Sequence, residues 1–148
     1  MKKLIILGKA PVKGKAGIDA KIDYPDCEVW TVGTHKIKNA DRYYEFHGIN
    51  VPGREMVRDV ISEVKACAEL IPLNNSISVM LAEAFFEGYK HIEILGSPMI
   101  VRDEYLQQRA ALAMCIGYFR GMSQENVYIR WPDEPKKINY FEKYEVSK

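Results

Sequence analysis

The chain has 148 residues, 47% hydrophobic and 28% charged, with 21 Lys and Arg against 20 Asp and Glu. That length fits one domain burying about two-thirds of its unfolded surface, and the composition argues against disorder. A net charge of +1 lacks the basic excess of a nucleic-acid binder, so no nucleic-acid partner is expected.

Three cysteines, Cys27, Cys67 and Cys115, are widely spaced and include no CxxC pair. They read as small thiols in a reducing compartment rather than a disulfide framework or zinc site. The N-terminal MKKLIILGKAPVKG holds an apolar run, Leu4–Leu7, shorter than the roughly 7–15 residues of a signal-peptide core. No stretch reaches the roughly 20 apolar residues of a membrane span. The expected setting is the cytoplasm, without a membrane partner.

In chain order, the apolar run over 3–7 ends in Gly8 and predicts a buried strand. GKAPVKGKAGIDA follows, rich in Gly, Pro and Lys, and reads as a loop. Glu28–Val32 (EVWTV) predicts a second strand and 42–46 (RYYEF) a third. After Pro52 and Gly53 the period changes. Val57, Val60, Ile61 and Val64 fall at i, i+3, i+4 and i+7, predicting a helix over 54–68 that Pro72 terminates. Asn75 or Ser76 then caps a helix over 77–87, with Gly88 as its stop. That helix is apolar nearly all round (Ile77, Val79, Met80, Leu81, Ala84, Phe85, Phe86) and should be buried. His91–Leu95 predicts a strand, 103–120 a helix and 127–130 a last short strand, with 131–148 a C-terminal tail.

Short strands alternating with helices predict an α/β fold: a single three-layer Rossmann-like domain around a mostly parallel sheet. Such sheets bind ligands beyond the carboxyl ends of their strands, where strand order reverses. Two glycine-marked loops, 8–17 and 96–99, fall at such ends.

Four stretches carry polar groups suited to a site. GKAPVKGKAG offers glycines for close approach and Lys9, Lys13 and Lys15 for an anion, though it matches neither GxxxxGK[ST] nor GxGxxG. In DRYYEFHG, strand alternation would put Tyr43, Glu45 and His47 on one face, where the carboxylate could orient the imidazole as an acid or base. NNS is at minimum an N-cap, and a helix start also suits a phosphate or carboxylate. EYLQQR sets Glu104 and Gln108, and Tyr105 and Arg109, at i and i+4, and Arg109 could clamp an anion or pair within the fold. His35 and His91 show no metal-ligand spacing, so no metal site is expected.

The pattern as a whole resembles a group of small Rossmann-like bacteriophage proteins, from residue 3 to residue 131. More distantly it is similar to 6-hydroxymethylpterin diphosphokinase-like proteins and bacterial sialyltransferases. The residues carrying the resemblance are Gly8, Pro11, Trp30, Asp41, Glu45, His47, Asn75, Ser76, Gly88, Tyr89, Gly96, Glu104, Tyr105, Gln108 and Arg109. The chain departs from the pattern at Val12, where a serine is the rule, and at Pro98, where an aspartate is.

The resulting expectation is a protein that binds a nucleotide or other phosphorylated small molecule in a cleft at the strand carboxyl ends. Gly8, Lys9, Pro11, Lys13, Asn75, Ser76, Gly96, Ser97, Glu104 and Arg109 would form its walls. The resemblance implies nucleotide- or nucleotide-sugar-dependent group transfer, with His47 or Glu45 as acid or base. The alternative is a non-catalytic phage accessory protein in the host cytoplasm that sequesters a nucleotide signal or binds a host protein; Val12 and Pro98 favour it. No cofactor is indicated, and a homodimer is the expected assembly, since strand edges and aromatic segments such as RYYEF and NYFEKY find partners.

Overall fold

The computed structural model describes residues 2–12, 14, 17–99, 103–123 and 126–135. Five strands, β1 (Leu4–Leu7), β2 (Glu28–Val32), β3 (Arg42–Tyr44), β4 (His91–Leu95) and β5 (Tyr128–Arg130), form one sheet in the order β3-β2-β1-β4-β5. All four pairings are parallel. The helices are α1 (Ala20–Asp23), α2 (Ser62–Cys67), α3 (Ser76–Phe86) and α4 (Asp103–Met122). This is the expected Rossmann-like α/β architecture.

Strand β1 is central and buried on both sides, which is why it reads as an unbroken apolar run. Leu4 and Ile6 join Trp30, Tyr44, Ile92 and Ile94 in a core under α2, α3 and α4. Ile5 and Leu7 face the other way, with Val29, Ile18 and Ala20 of α1. Crossovers of one hand that run in opposite directions along a sheet land on opposite faces. The helices follow that rule: α1 lies between β1 and β2, whereas the other three follow β3 and β4. Among the described residues the second face carries only a four-residue helix and loops. Helix α1, not foreseen from the sequence, starts at the last residue of the stretch read as a loop and is capped by Asp19, whose carboxylate accepts the Lys21 N–H at 3.1 Å and the Ile22 N–H at 3.4 Å.

The expected helix over 54–68 shrinks to Ser62–Cys67. Before it the chain runs beside β3, where the Val57 N–H donates to Tyr43 O at 2.7 Å and Val57 O accepts from the Glu45 N–H at 2.9 Å. A sheet edge supplies backbone partners that compete with a helix's own, and β-branched Val57, Val60 and Ile61 favour the extended form. All three still pack on the core, so the apolar spacing marked a buried side correctly and its period wrongly. Strand β3 likewise stops at Tyr44 instead of Phe46. Trp131, expected to open the tail, is 2% exposed and belongs to the core.

Helix α3 is the buried helix its composition predicts, and the burial extends to Glu83 at 4% exposure. Glu83 Oε1 accepts the Ile61 N–H at 3.4 Å, at the uncapped start of α2, while Oε2 has no hydrogen-bond partner. Burial raises the Glu83 pKa above the ordinary carboxylate value, the Ile61 N–H works against this, and Glu87 adds to it. The folded state therefore holds the proton more tightly than the unfolded one. This contribution to stability is complete below the ordinary carboxylate range and is lost as pH rises through the raised value. Glu83→Gln keeps an acceptor for Ile61 and cannot ionise. Thermal melts from pH 4 to 8 are expected to show wild-type stability falling relative to this variant as pH rises.

Candidate functional site

The loops after β1 and β4 are stitched together. The Gly8 N–H donates to Leu95 O at 2.7 Å and the Ala10 N–H to Gly96 O at 3.0 Å. A Cβ at position 8 would run into Ser97 Oγ and the Gly96 carbonyl, and Gly96 itself has φ +69°. Two glycines thus allow the backbones to meet where strand order reverses, the place where an open α/β sheet offers its crevice. Behind this seam, the Trp131 indole N–H donates to Ser97 O at 3.1 Å. Arg109 Nη1 donates to Pro98 O at 2.8 Å, and its guanidinium lies 4.9 Å from the Trp131 ring centroid. Arg109 is a brace for the 96–99 loop.

Free space lies on either side of the seam. One cavity, about 430 Å³, opens between the loops after β1 and β2 and is lined by Gly8, Lys9, Ala10, Gly17, Ile18, Thr34, His35, Lys36 and Ile37. Its basic groups are Lys9 and Lys36, both on exposed backbone. Beneath His35, Thr31 Oγ1 lies 2.7 Å from Leu7 O and 3.1 Å from His35 Nδ1. Burial above all, then the Lys9 ammonium, pulls the His35 pKa down to about 4 against the Leu7 carbonyl, with Arg54 adding to the fall. The ring is neutral at pH 7.

The loop over 33–37 owes its shape to Arg54. Nη1 donates to Gly33 O at 2.6 Å and His35 O at 2.8 Å, and Nη2 donates to Ile37 O at 3.1 Å. The guanidinium sits 4.0 Å from the Tyr43 ring centroid, and the Tyr43 hydroxyl donates to Ile37 O at 2.8 Å. One planar fork with several donors in fixed directions is suited to three convergent carbonyls.

The second cavity, about 600 Å³, lies over the thinly covered sheet face. Ile5 and Leu95 contribute apolar surface, Pro11, Val12, Gly96 and Pro98 line it from the two stitched loops, and Lys3, Glu93 and Arg130 bring charge. Glu93 is nearly buried, 2.8 Å from Lys3 and 3.6 Å from Arg130. Val12 and Pro98 both line this groove and give its loop side an apolar surface.

The sequence-selected residues therefore divide. Gly8 and Lys9 line the first cavity; Pro11 and Gly96 line the second; Ser97 is buried beneath the seam. Asn75 is the N-cap of α3, its side chain accepting the Ser78 N–H at 2.9 Å, and Ser76 is the first helical residue. Neither residue lines either cavity. Glu45 is 2% exposed, and its carboxylate accepts the His47 and Ile49 N–H groups at 2.9 and 2.8 Å and Arg58 Nη1 at 2.8 Å. Burial tends to raise its pKa, but those donors outweigh it and leave the carboxyl below its ordinary value. Glu45 thus holds the backbone of His47 instead of its ring, and the His47 side chain is exposed beyond the end of β3. Lys13 and the side chain of Glu104 lie outside the described residues.

Sequence reading passed over Thr34, Lys36 and Arg54, and weighed His35 only as a metal ligand. Thr34, His35 and Lys36 follow a strand end marked by Gly33, the signal that drew attention to Gly8, and could have been found by it. Arg54 could not, because its partners are carbonyls of a loop 17 to 21 residues away.

Comparison with protein-family models, curated proteins and solved structures finds no match to this chain. Fold and site geometry alone define it as a Rossmann-like α/β protein with a basic cavity at the strand carboxyl ends. Among the described residues no cluster of three or more His, Cys, Asp or Glu is placed to hold a metal ion. Nor is any helix long and apolar enough to cross a membrane.

The seam makes a direct test of this layout. Gly8→Ala forces a methyl into the Ser97 and Gly96 contact and is expected to cost about 1–3 kcal/mol in chemical denaturation.

Proposed function

We propose that this protein binds a nucleotide or another phosphorylated small molecule in the cavity between the loops after β1 and β2. The observation that carries this reading is the pairing of Lys9 and Lys36 across a glycine-edged hollow at the strand carboxyl ends. Lysine ammoniums recognise phosphate as point charges, and glycine backbone lets a ligand approach closely. A volume of about 430 Å³ falls within the usual range for small-molecule sites.

The same cavity accommodates both a group-transfer enzyme and a protein that only sequesters its ligand. In the enzymatic version the base would be His35, which lines the hollow and is unprotonated at neutral pH. Glu45 is less suited, since its oxygens already hold three donors.

A thermal-shift panel of nucleotides, nucleotide-sugars and sugar phosphates tests the reading. At least one phosphorylated compound is expected to raise Tm while its unphosphorylated parent does not; a panel with no shift overturns it. For any such compound, Lys9→Ala and Lys36→Ala should each weaken binding about tenfold in calorimetry, with little change in the Tm of the free protein.

Sulfate gives a pH signature, since it carries no proton of its own in this range. As pH falls through about 4 His35 gains a charge, so sulfate affinity should be flat from pH 8 to 6 and rise at lower pH.

A further inference from the structure

We infer that His35 is locked as one tautomer and makes the basic cavity select ligands that pair their phosphate with a sugar-type hydroxyl. This rests on the phosphate reading above and extends it from an anion site to a ligand class.

The lock follows from counting hydrogens. Thr31 is wholly buried, and its hydroxyl has one hydrogen to give. Leu7 O, an acceptor only, lies 2.7 Å from that hydroxyl and takes it. The contact between Thr31 Oγ1 and His35 Nδ1 at 3.1 Å then needs its hydrogen from the ring. A neutral imidazole carries one N–H. With that N–H at Nδ1, Nε2 is a bare acceptor, and no protein donor meets it among the described residues.

The cavity therefore presents two unlike demands. Lys9 and Lys36 call for negative charge, whereas the neutral His35 nitrogen calls for a donor. A sulfate dianion supplies only the first. A ribose or other sugar bearing a phosphate supplies both, and is favoured over a ligand that lacks the donor. Thr31 touches no ligand in this scheme. It is a positioning residue that acts through the ring.

The probes are ribose 5-phosphate and n-pentyl phosphate, which share the phosphate and a five-carbon body and differ in hydroxyls. Calorimetry on the full chain should show ribose 5-phosphate binding at least about tenfold tighter. His35→Phe should abolish that ratio while pentyl phosphate binding persists through the lysines. Thr31→Val, close in shape, should shrink the ratio, and the ¹⁵N shifts of the His35 ring should move from an Nδ1–H pattern toward a mixture. Equal affinity of the two phosphates, a ratio that survives His35→Phe, or an Nε2–H pattern in the wild type overturns the inference alone. Failure of both phosphates to bind overturns the phosphate reading as well.

Discussion

The whole arrangement turns on a backbone contact between two loops that have no side chains in the way. The carbonyls of Leu95 and Gly96 receive the N–H groups of Gly8 and Ala10, and a methyl at position 8 would collide. An α/β sheet whose strand order reverses between two central strands normally leaves a crevice there. Here the seam ties the two loops together at that point. Two hollows flank it, a basic one toward β2 and a groove over the second sheet face. The residues placed around one imagined cleft are consequently shared between two, or serve as struts: Arg109 holds Pro98 O, Asn75 caps α3 and Glu45 ties down 47–49.

The polar groups of the basic hollow are organised from below. The Leu7 carbonyl ends the buried central strand, and Thr31 on the neighbouring strand meets both that carbonyl and His35. Because β1 and β2 are held in register with Leu7 opposite Thr31, the imidazole is anchored to the most rigid part of the sheet. A loop side chain thereby acquires the positional accuracy of a strand.

Much of the fold was legible from composition and period. The apolar run of β1, the EVWTV strand and the all-round apolar α3 were placed to within a residue, because each is buried in the way its sequence demands. The error over 54–61 has a specific cause. Val57, Val60 and Ile61 keep helical spacing, yet their backbone found partners on Tyr43 and Glu45, a long-range event that no local window contains. Cavity-lining residues were legible where a glycine followed a strand, as at Gly8 and Lys9. Proximity of His47 to Glu45 in sequence proved to be a backbone contact, since the strand ended two residues too soon for alternation to apply.

Arg54 carries a wider implication. It lines neither hollow, yet it gathers three carbonyls of the segment that bears His35 and Lys36. A lysine there would offer one ammonium where a rigid fork now reaches several acceptors. The breadth of the mouth could thus drift over generations through a codon that no inventory of ligand contacts would include, so relatives with identical liners need not accept the same molecule.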